Sequence, residues 1–82
     1  MLLNIKKGLY TLYHQNNNKW MEYTIKNGKY SGISRSFYSN GQLQKECYYI
    51  NGKLNGKYQL WDIAGKLCID LIYRNDVRIS SI

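Results

Sequence analysis

The hexapeptide NGKYSG at residues 27–32 returns as NGKLNG at residues 51–56, 24 positions further along a chain of 82 residues. Asn-Gly is the strongest short-range signal for a two-residue hairpin turn, because both central positions of that turn need positive φ. A third Asn-Gly stands at residues 40–41 and is expected to turn the chain in the same way. Residues between these points are β-branched and aromatic, as strands require. The repeated hexapeptide is either one turn used twice or one binding loop displayed twice, and the rest of the chain decides between them.

Shifting the sequence by 24 aligns three segments without gaps, at residues 8–31, 32–55 and 56–79. Their first column is Gly8, Gly32, Gly56, and their sixth is aromatic: Tyr13, Phe37, Trp61. The tenth column holds Asn17, Gly41, Gly65, residue types that tolerate positive φ. The fifteenth is acidic (Glu22, Glu46, Asp70), and the twentieth is Asn27, Asn51, Asn75. Self-similarity at a fixed period is the mark of a repeat architecture. Within the second strand of each unit the side chains alternate. Lys19, Met21, Tyr23 and Ile25, then Leu43, Lys45, Cys47 and Tyr49, then Leu67, Ile69, Leu71 and Tyr73 share a mostly apolar side, expected to be buried or concave. Trp20, Glu22, Thr24, Glu46, Tyr48 and Asp70 take the other side. The expected fold is therefore all-β: a single-layer antiparallel meander of three 24-residue β-hairpin repeats, forming one domain over residues 1–82. Short terminal strands at 2–6 and 77–81 are expected to cap it.

Composition narrows the function. Twelve Lys and Arg against five Asp and Glu leave a net charge of +7, which favours acidic partners. No apolar run approaches the roughly 18 residues of a membrane span. Lys6 and Lys7 interrupt the apolar start before any signal-peptide h-region develops, so the expected location is cytoplasmic. Cys47 and Cys68 fall on opposite faces and are expected to be reduced thiols, neither a disulfide nor a metal pair.

The unit G-x4-[aromatic]-x2-N-G-x-L-x2-E-x4-NGK-x2-G, clearest at residues 32–56, resembles the MORN repeat. It is most similar to the variant found in bacterial antitoxin-like proteins of the YwqK type and in large DNA viruses. The resemblance spans residues 8–79, with degraded end units: NNN at 16–18 replaces the middle Gly, and Asn75-Asp76 replaces the final NGK. It implies a non-enzymatic scaffold or interaction module that pairs with a protein partner or with itself. Phospholipid binding is implied for some members, and no catalytic residues come with the likeness.

The side-chain inventory agrees with that implication. His14 is the single histidine and is expected to be an ordinary strand-end polar residue. Carboxylates one repeat apart would sit about two strand spacings, or ~9.5 Å, from each other. That exceeds the reach of a shared metal, so Glu22, Glu46 and Asp70 are expected to pair with cations on intervening strands. No phosphate loop, dinucleotide loop or nucleophile elbow occurs. The expectation is no enzyme, no cofactor, no metal and no small-molecule substrate. Tyr13, Phe37 and Trp61 are expected to form a ladder one repeat apart. Together with Trp20 and Tyr48 they are the candidate partner-binding aromatic residues. Lys26, Lys29, Lys53, Lys57, Arg74 and Arg78, with Lys6 and Lys7, crowd the recurring turn as a candidate ridge for anionic lipid. Nucleic acid is the weaker partner class, since the cations sit at turns and the aromatics on strands.

Overall fold

The computed structural model describes residues 7–81, with side chains from 8 to 79. The strands are β1 (Lys7–Tyr13), β2 (Lys19–Lys26), β3 (Lys29–Tyr30), β4 (Gly32–Phe37), β5 (Leu43–Ile50), β6 (Lys53–Trp61), β7 (Leu67–Arg74) and β8 (Val77–Ser81). They form one open antiparallel meander in the order β1-β2-β4-β5-β6-β7-β8, with β3 also paired to β2. β2, β5 and β7 start at residues 19, 43 and 67, each 24 after the last. The expected strand at 2–6, and Lys6 with it, lie outside the described residues.

Two kinds of turn alternate, one at each end of the strands. At one end Asn27-Gly28, Asn51-Gly52 and Asn75-Asp76 have φ pairs of 52° and 78°, 51° and 81°, and 50° and 69°. Positive φ at both positions is the type I′ geometry, whose twist matches that of the flanking strands. At the other end three-residue loops close the hairpins. The N–H of Tyr38 donates to Gln42 O and that of Gly41 to Tyr38 O, with the same pattern around His14–Asn18 and Asp62–Lys66. The left-handed residue in each is Asn17, Gly41 or Gly65, at φ 72°, 91° and 94°. The Asn40-Gly41 pair thus departs from expectation. Asn40 is not left-handed; its Oδ1 instead accepts the N–H of Gln42, stabilising a longer loop.

Each three-residue loop is preceded by a register slip, at Leu12/Tyr13, Ser36/Phe37 and Leu60/Trp61. A second irregularity centres on Gly32, which separates β3 from β4 with φ 82°, and on Gly56 in β6, with φ 117°. Tyr48 lies over Gly56: a Cβ there would sit 3.5 Å from Tyr48 Cβ. Successive hairpins are latched at both ends. His14 Nε2 donates to Phe37 O at 2.8 Å, and 24 residues on, Tyr38 Oη donates to Trp61 O at 2.9 Å. At the opposite end the N–H groups of Gly52 and Asp76 donate to Tyr30 O and Leu54 O. His14 therefore has a structural partner in the next hairpin.

The principal extents are 47 × 37 × 10 Å, and the short dimension is that of a single sheet. Among the described residues Cys47 is the one buried apolar side chain, at 1% exposure, and Ser36 the one buried polar side chain. The apolar side inferred from alternation is accordingly only half-buried, because no second layer covers it.

Candidate functional site

The ladder register assigns side chains to the two faces. On one face the cross-strand partners include Tyr10↔Tyr23, Ile25↔Tyr30, Cys47↔Tyr58, Tyr58↔Leu71 and Leu60↔Ile69. Tyrosines dominate it. Tyr10 stacks on Tyr23 with ring centroids 5.5 Å apart, Tyr23 meets Tyr30 edge-on at 5.4 Å, and Tyr30 meets Tyr49 at 5.0 Å. Across β5 the series resumes with Tyr58 and Tyr73 at 5.5 Å. Such contacts stabilise by about 0.5–1.5 kcal/mol each beyond their buried area. Burial pushes the Tyr49 phenol up to about 12, with the neighbouring Cys47 adding to the effect. Burial also raises the Cys47 thiol.

Lys45 stands on this face, on the central strand β5. Its partners are Ser36 and Leu60, and its Nζ lies 5.6 Å from the centre of the Tyr58 ring. The register places no carboxylate on the tyrosine face, and no described residue forms an ion pair with Lys45.

The opposite face carries a polar line through the partners Thr11↔Glu22↔Arg35↔Glu46↔Gln59↔Asp70. Arg35 bridges two strands: its Nε is 2.6 Å from Glu46 and its Nη1 3.6 Å from Glu22, while Lys19 Nζ adds a contact to Glu22 at 3.2 Å. The acidic column thus pairs with intervening cations at Glu22 and Glu46. At Asp70 the neighbour is the neutral amide of Gln59, at 3.2 Å. An open depression of about 280 Å³ lies beside this line, lined by Ile33, Arg35, Glu46, Cys47, Tyr48 and Lys57.

The five aromatic candidates do not form one stripe. Tyr13, Phe37 and Trp61 end β1, β4 and β6, just past the register slips, and no ring pair among the described residues joins them. The expected ladder is replaced by the tyrosine series. The slips move these three residues out of the regular alternation, whereas Tyr10, Tyr23 and Tyr30 sit in regular register and Tyr49 does so towards β4. Trp20 is the residue skipped between the Leu12↔Met21 and Tyr13↔Lys19 pairs, and its ring lies 6.1 Å from His14. Tyr48 pairs with Ile33 on the polar face, so the structure brings it together with Lys57 and not with the other four.

The cationic candidates do converge. Lys26, Lys29, Lys53 and Arg74 flank the type I′ turns, Lys57 and Arg78 follow on β6 and β8, and all six are exposed. None has an ion-pair partner among the described residues. The carboxylates are engaged elsewhere: Asp62 accepts two N–H groups of its own loop, and Asp76 Oδ1 accepts the N–H of Leu54. Alternation along β2, β5 and β7 already places Tyr23, Lys45, Tyr49 and Tyr73 on one side, but does not single out Tyr10, Tyr30 and Tyr58, or the face they complete, as a candidate site. The signal was present, since counting outward from the Asn27-Gly28 and Asn51-Gly52 turns places Ile25 against Tyr30 and Tyr49 against Leu54.

No protein-family model, curated protein or solved structure was found to match the chain. The MORN likeness accordingly rests on the repeated residues alone.

Proposed function

We propose that the chain is a non-enzymatic protein-interaction module built of three MORN-like repeats, with the tyrosine-rich side of the sheet as its recognition surface. The observation that carries this reading is the uncovered face. A sheet one layer thick with one buried apolar side chain leaves Tyr10, Leu12, Tyr30, Leu67 and Ile69 exposed on one side. Aromatic side chains are rigid and amphipathic, and are enriched among residues that dominate binding energy. Edge strands β1 and β8 offer a further route to pairing. Light scattering combined with affinity capture from the native host tests the reading. A defined complex, or a self-associated form, is expected. A strict monomer at high concentration with no partner recovered refutes it.

The exposed cations at the type I′ turns support a second reading, binding to anionic phospholipid. Each lysine or arginine near such a surface contributes about 1 kcal/mol, screened by salt. Flotation with phosphatidylserine vesicles is expected to weaken with salt and with reversal of Lys26, Lys29, Lys53, Arg74 and Arg78. Flotation indifferent to both removes this reading. Single-stranded nucleic acid is the poorer fit, because tracking a phosphate backbone needs a cationic groove along the stacking platform. The tyrosine face carries Lys45, with Arg78 opposite Tyr73 at its margin, whereas the Lys19 ammonium reaches Glu22 on the polar line.

A further inference from the structure

We infer that the tyrosine face recognises a protein partner presenting an acidic side chain surrounded by apolar surface, and that Lys45 is the residue that reads the acid. This rests on the interaction-module reading and names the chemistry of the partner. Lys45 is half-buried on the middle strand of the sheet, on the uncovered tyrosine face. Around it stand Tyr58, whose ring its ammonium approaches, and its ladder neighbours Leu60 and Ser36. The strand carboxylates Glu22, Glu46 and Asp70 all lie on the other face, and Asp62 and Asp76 are held in loops. A partner covering the tyrosines removes the remaining water from Lys45, and a charge taken out of water is tolerated only when paired. A neutral apolar partner would leave that ammonium buried without a counter-charge. A partner with a carboxylate at the matching point turns the same burial into a charge-assisted hydrogen bond inside a dry rim, the arrangement in which charge pairs count most.

Two further observations favour an acidic heterologous partner over a second copy of this chain. A second copy would offer Lys45 another tyrosine face, and the register places no carboxylate on that face. The exposed cations at the type I′ turns project a positive field that speeds encounter with an acidic protein and opposes a second chain of net charge +7. The sheet footprint, 47 × 37 Å, exceeds the roughly 800 Å² per partner of a standard interface.

The test selects binders to the full chain from a random-peptide display library and measures the recovered peptides as synthetic probes by fluorescence anisotropy. Selected peptides are expected to carry Asp or Glu flanked by aliphatic or aromatic residues. Lys45→Met, which keeps the stem's bulk without the charge, is expected to weaken binding about thirtyfold, and Lys45→Arg to retain it. Lys45→Glu is expected to abolish binding of the acidic peptide and to accept the version in which the acid is replaced by lysine. Circular dichroism and melting of each variant separate lost recognition from lost folding, and Lys45→Arg and the swapped peptide are readouts that misfolding cannot produce. Selection of peptides without an acid, or affinity unchanged by Lys45→Met, overturns the inference while leaving the interaction module standing. Sedimentation equilibrium revealing a homodimer broken by Tyr23→Asp also overturns it, because a second copy then covers the face. No peptide selected from a strictly monomeric chain overturns both.

Discussion

Replacing Arg35 by Met removes the one side chain that ties β2 and β5 together across β4 on the polar face. Its guanidinium is 38% exposed, whereas the two carboxylates it serves, Glu22 and Glu46, are 18% and 19% exposed. Fully exposed pairs contribute about 0.2–1 kcal/mol, and breaking fully buried ones costs about 3–5 kcal/mol. Arg35 lies between these limits, with two largely covered acids left on either side of β4, so the expected loss is about 2 kcal/mol. For a domain of this size each kcal/mol lowers Tm by roughly 4–8 °C, so Arg35→Met is expected to melt about 8–16 °C below the parent. Thermal denaturation followed by far-ultraviolet circular dichroism measures it. Double-mutant cycles divide the effect. The 2.6 Å contact to Glu46 is expected to couple more strongly than the 3.6 Å contact to Glu22. Lys19→Met removes a more exposed cation and is expected to change stability by less than about 1 kcal/mol. An Arg35→Met protein melting within about 2 °C of the parent would show that the polar line carries no stability.

Further expectations follow from turns, thiols and phenols. Gly28→Ala imposes a side chain at φ 78° in open space, while Gly52→Ala does so at φ 81° with a Cβ 3.4 Å from that of Lys29. Both sites meet at most ordinary contact, so urea denaturation should show a similar loss of about 1 kcal/mol at each from the left-handed backbone alone, and no loss at either would refute the type I′ geometry. Cys68 is exposed and Cys47 buried, so a thiol reagent should titrate one group quickly in the native protein and two in denaturant. Two fast thiols in native buffer would contradict the packing around Cys47. Tyr49 and Cys47 both have folded-state values raised above their usual 10.0 and 9.0. The stability they contribute is fully present below about pH 9 and is lost as pH rises through 9 to 12. Tyr49→Phe should flatten the part of that loss between pH 10 and 12, and an unchanged pH profile would refute the assignment.

Much of the architecture was legible because its determinants are local. Asn27-Gly28 and Asn51-Gly52 accept positive φ whatever surrounds them, so two hairpins and their exact spacing follow from chain chemistry alone. The same holds for Asn75-Asp76 and for the left-handed positions Asn17, Gly41 and Gly65. Alternation between turns then requires strands, and the 24-residue period places β2, β5 and β7 at equivalent points. Asn40 marks the limit of that reasoning: its side chain bonds the Gln42 N–H, and a pair that looked like a two-residue turn became part of a three-residue loop.

What the sequence by itself determined is therefore the class of fold, the turns and the crowding of six exposed cations at one end of the sheet. What only the tertiary structure decided is where the alternation is interrupted, and so how the faces of neighbouring strands line up. The slips after Leu12, Ser36 and Leu60 and the distortions at Gly32 and Gly56 each shift the cross-strand pairing. A one-residue slip moves a side chain to the opposite face, and no alternation rule anticipates where slips fall. That is why Tyr13, Phe37 and Trp61, the conspicuous aromatic column, do not form the ladder. Tyr23, Lys45, Tyr49 and Tyr73 keep the side that alternation assigns them, and the cross-strand register adds Tyr10, Tyr30 and Tyr58 to the same face.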